Sequence, residues 1–157
     1  MKAAAKHAFI IAFFAATSVL ADPGDGDTLR GGSAHDPVLE KILAANAQKD
    51  WLQSESILRE ALAKDPGNAE YHNLFAYAIR KGANPNVDLV FKHYKEALRI
   101  DPRHRGAHEY IGEAYLMIGN VAKAKEHLAA LDRLCFFGCE EYSKLKNAVA
   151  EYEVKKN

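Results

Sequence analysis

The feature that most constrains the fold is a helix stop that recurs along the chain. Lys64-Asp65-Pro66 and Ile100-Asp101-Pro102 each end a stretch whose apolar residues follow helical spacing. Both prolines end a helix, because proline lacks an amide donor and clashes with the preceding turn. A third stop is expected at Leu131-Asp132, in the matching place of a third segment. From Pro37 onward the chain is therefore predicted to be all α, built from helical hairpins joined by short turns.

A second regularity lies just before each stop. It is a three-residue motif that occurs once in each segment. The first residue of the motif is followed four positions later by a larger residue, and three positions after that by another apolar residue. A small side chain in the first slot lets two helices approach closely, and the larger ones fill the space beside that contact. Three copies of the pattern predict three equivalent hairpins. The copies are Ser54-x3-Leu58-x2-Ala61, Val90-x3-Tyr94-x2-Ala97 and Ala124-x3-Leu128-x2-Leu131.

This period of about 34 residues resembles the tetratricopeptide repeat (TPR), which places aromatic, Leu-Gly, Tyr, Ala, Phe, Ala and Pro residues at set offsets. The resemblance covers about residues 37–134 and is clearest in the third segment. It implies three helix-turn-helix repeats, 36–67, 68–103 and 104–137, stacked in a right-handed superhelix. The second segment departs from the pattern at Phe75, where glycine is usual. The signature residues are Ser54, Leu58, Ala61, Pro66, Tyr71, Leu74, Tyr94, Ala97, Pro102, Gly112, Tyr115, Ala124 and Leu128.

After the repeats, residues 140–157 have the pattern of a capping helix. Leu145 and Val149 fall on one helical face with Tyr142 and Tyr152, and Lys and Glu cover the other face. A stack of repeats needs such a polar-backed helix, because its last repeat otherwise exposes an apolar face to water.

The first residues predict export. Lys2 and Lys6 precede an apolar run that ends in small residues at 19–21, which is typical of a secretory signal peptide over residues 1–21. The run is shorter than the roughly 20 residues of a membrane span, so no membrane insertion is expected after cleavage. Residues 22–35 are rich in Gly, Asp and Pro and are expected to form a flexible leader. The expected location is the periplasm, if the source is a Gram-negative bacterium.

Composition and motifs exclude several classes of function. Cleavage after residue 21 leaves 19 basic and 21 acidic residues, a balance that favours neither nucleic acid nor an anionic membrane. The sequence contains no Gly-x-Ser-x-Gly elbow, no glycine-rich phosphate loop and no HExxH zinc helix. We therefore expect a protein that is not an enzyme and holds no cofactor.

The TPR resemblance implies that the first helix of each repeat forms a concave surface, on which a partner protein or peptide docks. The mixed charges at its inward positions point to no single ligand class. A clamp for a C-terminal carboxylate is not favoured, since Leu39 and Leu43 stand where it needs polar residues. The sequence thus predicts an adaptor for a still unidentified protein or peptide. The inward positions are Asn46, His72, Asn73, Ala76, Arg80, Glu109, Glu113, Leu116 and Met117.

The only two cysteines, Cys135 and Cys139, stand four residues apart. On a regular helix their Cβ atoms would be about 5–6 Å apart, whereas a disulfide wants about 3.5–4.5 Å. A bridge therefore needs a break in the helix, which Gly138 can supply by adopting a positive φ. At least one of Phe136 and Phe137 is then expected to pack into the seam between the third repeat and the cap.

Three interpretations of the cysteines remain open at this point. Export favours a structural disulfide, and two reduced core thiols are the second interpretation. The third is a redox or copper-handling site, because two thiolates suit Cu(I). His127 is then the expected third ligand, since the other histidines are scattered along the sequence and no ligand-spaced pair is expected among them.

Overall fold

The computed structural model describes residues 36–156 of the chain. Those residues form seven α-helices and no strand, which confirms the all-α fold class. Six helices pair into three antiparallel hairpins, and the seventh packs on the last hairpin. The helices are α1 (Pro37–Ala47), α2 (Trp51–Lys64), α3 (Ala69–Lys81), α4 (Val87–Ile100), α5 (Arg105–Met117), α6 (Val121–Leu134) and α7 (Glu140–Lys156).

Each of the first six helices begins at a side chain that caps it. The cap accepts a hydrogen bond from an amide of the first turn, which would otherwise have no partner. At α1, for example, Asp36 Oδ1 accepts from the amides of Val38 and Leu39 at 2.9 and 3.1 Å. The six caps are Asp36, Asp50, Asn68, Asn86, His104 and Asn120.

The second helix of each hairpin ends in the same way. The amides of Asp65, Asp101 and Cys135 each donate to the carbonyl four residues earlier, at 2.8–2.9 Å. The predicted third stop at Leu131-Asp132 is therefore wrong. Without a proline the helix continues to Leu134, and Cys135 takes the place that aspartate has in the other two hairpins.

The repeated motif before each stop forms the core. Leu58, Tyr94 and Leu131 are fully buried between the helices of their hairpins and the neighbouring elements. Burial of a side chain of this size contributes about 1.5–3 kcal/mol. The half-buried Tyr115 packs against both the core of the first two hairpins and the core beneath the cap, so the two cores are continuous.

The cap docks closely because residue 112 is glycine. A Cβ built on Gly112 would lie 2.6 and 2.7 Å from the two δ carbons of Leu145 in α7. Contacts this short are not tolerated, so only a glycine allows Leu145 to lie against the backbone of α5. Leu145 is fully buried in this position, and Val149 is buried one turn further along.

The turn between α6 and α7 contains the cysteines. Gly138 has φ +82° in the turn that follows α6, and the sulfur atoms of Cys135 and Cys139 lie at bonding distance, 2.07 Å. The expectation for the phenylalanines is wrong, since Phe136 and Phe137 are 86% and 97% exposed. Both rings lie in the turn between α6 and α7, with their ring centroids 5.0 Å apart.

The predicted signal peptide and leader, residues 1–35, lie outside the described residues. Within residues 36–156, no helix is both long enough and apolar enough to cross a membrane.

Candidate protein-binding groove

The first helices of the hairpins and the cap together line a cavity of about 320 Å³. We call this cavity the inner groove. It brings together side chains that are far apart in sequence, from α1, α3, α5 and α7. Its walls include Leu43, Glu70, Asn73, Glu109, Glu141 and Lys144.

Glu109 is the most unusual side chain of the inner groove. It is only 3% exposed, yet its carboxylate forms no hydrogen bond or ion pair with the described part of the chain. Burial raises the pKa of Glu109 to about 7, with Lys144 acting against the shift and Glu113 adding to it. Since buried polar groups nearly always have a partner, this carboxylate is a group still available to bind something.

Asn73 lies across the inner groove, on α3. It is 2% exposed, and its side-chain oxygen has no hydrogen-bond partner among the described residues. Gly106 stands beside it, where a Cβ would come within 3.3 Å of the Asn73 amide nitrogen. Leaving such a buried group unsatisfied costs about 1–3 kcal/mol. Two buried polar residues, Asn73 and Glu109, thus line one cavity.

The other charged groups at the inner groove have partners. His104 Nε2 lies 2.7 Å from Glu70, Lys144 lies 2.7 Å from Glu140, and Arg105 lies 3.6 Å from Glu141. Burial alone would lower the pKa of His104, but the hydrogen bond and charge of Glu70 raise it overall.

Arg80 and Glu113 were predicted to face inward, and they pair with each other. Arg80 Nη2 donates to Glu113 at 2.7 Å, and Arg80 Nε donates to the hydroxyl of the buried Tyr94 at 3.2 Å. The guanidinium also lies 5.5 and 5.9 Å from the ring centres of Tyr77 and Tyr110. This arrangement joins α3, α4 and α5, so Arg80 is occupied within the fold.

His72 is likewise engaged, on the side of α3 that faces α4. Its Nε2 lies 3.1 Å from the carbonyl of Pro66, and its Nδ1 lies 2.8 Å from Nδ1 of His93. Because a carbonyl only accepts, Nε2 of His72 carries the proton, and its Nδ1 accepts from His93. Histidines that are scattered along the sequence thus lie next to each other in the fold.

The third hairpin repeats this arrangement. His108 Nε2 lies 3.1 Å from the carbonyl of Pro102, and its Nδ1 lies 2.9 Å from Nδ1 of His127. We call His72–His93 and His108–His127 the histidine pairs. His127 is thus bonded to His108 and is not part of the cluster that contains the cysteines.

The remaining inward positions differ in exposure. Asn46 on α1 is half-buried, with a side-chain oxygen that has no partner in the described region, whereas Met117 is exposed. Ala76 and Leu116 are buried and contribute apolar surface only.

Comparison with known proteins supports the repeat assignment. No family model matches the chain. The chain is 32% identical to the inactive TPR repeat-containing thioredoxin TTL3 of Arabidopsis thaliana over 92 residues. The matched region covers 58% of this chain and 12% of the length of TTL3. A crystal structure of the type III secretion translocator chaperone SycD of Yersinia enterocolitica superimposes with a TM-score of 0.66 at 13% identity, covering 76% of this chain and 92% of that one. The fold is TPR-like.

The TPR-like repeats contain a sequence signal for the histidine pairs. His72 and His108 each stand six residues after the stop proline whose carbonyl they bind. His93 and His127 each precede the large residue of the core motif, Tyr94 or Leu128. Alignment of the two repeats therefore superimposes both members of each pair, although 21 and 19 residues separate the members in sequence.

Proposed function

We propose that the protein is a non-enzymatic adaptor that binds a partner protein or peptide in the inner groove. The observation that carries the proposal is an open cavity lined by two buried polar residues, Asn73 and Glu109, and no hydrogen bond or ion pair joins the Glu109 carboxylate to the described part of the chain. Burial of the Glu109 carboxylate disfavours its charged form in the free protein, and a ligand that pairs with this carboxylate offsets that cost.

The comparisons support binding as the general activity. The solved structure with the matching fold is a chaperone of translocator proteins, and the sequence relative is named as TPR repeat-containing and inactive. The helices that line the inner groove are packed on continuous cores, so the groove exists before a partner arrives. A preformed groove loses little conformational entropy on binding.

The proposed place of action is the periplasm or cell envelope. Support comes from the signal-like sequence of residues 1–21 and from the bridged cysteines, which persist in oxidising compartments. Mass spectrometry of the protein purified from the periplasm tests this point, with a mature chain that begins at Asp22 as the expected result. An intact N-terminus in a cytosolic fraction would contradict it.

Site-specific photo-crosslinking tests the adaptor function. The crosslinking residue replaces Leu43, which is 50% exposed at the inner groove, or Leu52, which is 81% exposed on α2 and serves as the matched control. In the native compartment, we expect a discrete adduct from position 43 and none from position 52. Equal adducts from both positions, or none from position 43, would overturn the proposal.

A redox or copper-handling role for the cysteines is the second candidate. The observation in its favour is that the sulfurs of Cys135 and Cys139, which become metal ligands only after reduction of the bridge, lie within 4.8 Å of each other and of a Glu141 oxygen. Thiol counting on the exported protein and Cu(I) titration of the reduced protein separate the two roles. A bridge that resists mild reductant, without Cu(I) uptake after full reduction, removes this candidate. Loss of cellular activity in a folded Cys135→Ser, Cys139→Ser variant would support it.

A further inference from the structure

The charge of the inner groove selects the kind of ligand it can take. Carboxylates outnumber basic groups among the lining residues, and both basic groups, His104 and Lys144, already pair with Glu70 and Glu140. An anionic ligand would therefore meet uncompensated negative charge. The carboxylates of the lining are Glu70, Glu109, Glu140 and Glu141.

The unpaired groups narrow the choice further. An apolar side chain of a ligand would exclude water from Glu109 and Asn73 and would offer them no hydrogen bonds in return. A metal ion lacks ligands, since Glu109 belongs to no group of three metal-binding side chains within residues 36–156. What remains is a ligand that brings several N–H donors and a positive charge.

We propose that the inner groove holds one basic side chain, Lys or Arg, of the partner, with the carboxylate of Glu109 accepting its N–H donors. This inference rests on the proposed adaptor function and specifies its ligand. The groove size agrees, because 320 Å³ is at the lower end for binding pockets and suits a side chain more than a folded segment. The ring of Tyr110 in the wall can add a cation–π contact.

Binding of a basic side chain is coupled to the proton on Glu109. Burial raises the pKa of Glu109 to about 7, Lys144 acts against the shift, and the α5 and α7 carboxylates Glu113, Glu141 and Glu140 add to it. Glu70 on α3 and His104 before α5 also line the groove. A cation beside Glu109 favours its ionised form, so binding lowers this pKa and releases a proton near pH 6. Affinity is expected to rise between pH 5 and pH 8.

The test uses four capped tripeptides, Ac-Gly-X-Gly-NH2 with X as Lys, Arg, Gln or Glu. Each is titrated into the purified protein, and NMR follows the amide and side-chain carboxyl signals of Glu109. The variant is Glu109→Gln, which keeps the shape of the side chain. The matched control is Glu60→Gln, which removes one exposed carboxylate of α2 and leaves the inner groove intact.

We expect the Lys or Arg peptide to bind at least about tenfold more tightly than the Gln and Glu peptides, as a charge-assisted hydrogen bond predicts. Glu109→Gln should reduce that affinity by about tenfold or more, and Glu60→Gln should leave it within about twofold. The bound peptide should also lower the pKa of Glu109 by about one unit or more. Equal binding of the Gln peptide, or affinity that survives Glu109→Gln, would overturn the inference.

The same experiments separate this inference from the adaptor function. If position 43 crosslinks to a partner while neither basic peptide binds, the ligand assignment fails and the adaptor function stands. If a basic peptide binds through Glu109 but position 43 captures no partner in the cell, the adaptor function fails instead.

Discussion

The histidine pairs and the inner groove differ in whether their buried polar groups have hydrogen-bond partners within the described part of the chain. Two adjacent residues show this difference most clearly. His72 and Asn73 are both buried on α3. His72 faces α4 and forms hydrogen bonds with His93 and Pro66, whereas Asn73 lines the inner groove and its enclosed side-chain oxygen has no partner among the described residues. Burial and polarity alone therefore do not identify a binding residue. A buried polar residue that lacks an internal partner and also lines a cavity is the stronger candidate, since the buried Ser54 hydroxyl is unpaired in the described region but lies outside the inner groove.

This contrast predicts that removing a paired group destabilises the fold, while removing an unpaired one does not. The change in stability is expected to be largest for the paired Arg80 and smallest for Asn73.

Arg80→Met should destabilise the protein by about 3 kcal/mol, because it leaves Glu113 and the hydroxyl of Tyr94 without their partner. Urea unfolding at pH 7 measures the change. Arg99→Met is the matched control, since Arg99 pairs with Glu96 on an exposed surface, where water and salt screen the attraction and little stability is lost with it. Similar losses in the two variants would contradict the assignment of Arg80 to the fold.

The histidine pairs should make the fold sensitive to acid. Burial lowers the pKa of His93 to about 4, with His72 and Lys92 adding to the shift and Glu96 opposing it. Burial also lowers the pKa of His127 to about 4, and His108 adds to that shift. Lys123 also adds to the shift at His127, where Glu126 opposes it. The pKa of His108 is lowered in the same direction, chiefly by burial.

Since unfolded histidine titrates near pH 6.5, unfolding takes up protons below that pH. The stability that the histidine pairs provide is complete above pH 6.5 and is lost as the pH falls towards 4. We expect a loss of about 2 kcal/mol between pH 7 and pH 5, allowing for the partial exposure of the rings. Urea unfolding across this range measures it, with His93→Gln, His127→Gln as the variant whose pH dependence is flatter. An equally steep profile in that variant would count against the assignment.

Glu109→Gln should act in the opposite direction and stabilise the free protein. The folded pKa of Glu109 is raised to about 7, so above that pH the fold carries a buried carboxylate at a cost that glutamine avoids. We expect a gain of about 1–2 kcal/mol at pH 8 that disappears below about pH 4.5, where Glu109 is protonated in the folded and unfolded states. Thermal unfolding at the two pH values, with Glu60→Gln alongside, measures the difference. A loss of stability at pH 8 would show that Glu109 has an internal partner.

Asn73→Ala should have the smallest effect, below about 0.5 kcal/mol, because no internal hydrogen bond is lost and the cost of an unsatisfied oxygen is removed. Its neighbour provides the control. His72→Ala should cost about 2 kcal/mol, since it leaves His93 and the carbonyl of Pro66 unpaired. Equal losses at these adjacent positions, measured by urea unfolding, would remove the distinction on which the contrast depends.

Much of the fold could be predicted because its signals are local. Proline ends a helix whatever surrounds it, and apolar residues at helical spacing mark the buried faces of the hairpins. The third stop was misplaced by three residues because no proline marks it. The phenylalanines were misassigned because hydrophobicity alone does not show that a turn leaves its side chains exposed.

The candidate site was less predictable because it depends on what lies opposite each side chain. The repeat pattern indicated that Asn73 and Glu109 face inward. It gave the same indication for Arg80 and His72, although both side chains form hydrogen bonds with residues outside α3. The histidine pairs were missed because their members are close only after two helices fold together. Whether a polar group has a partner is a property of the assembled hairpins and cannot be read from one helix.

The close contact between Gly112 and Leu145 affects how many repeats the capping helix α7 can follow. In the second repeat the equivalent position is Phe75, whose ring packs 4.7 Å from that of His93. A helix with the sequence of α7, placed directly after that repeat, would meet this ring where Leu145 now meets bare backbone. Gly112 therefore fits the third repeat to this cap, and a shortened array would need a residue smaller than phenylalanine at position 75 before the same cap could pack there as closely.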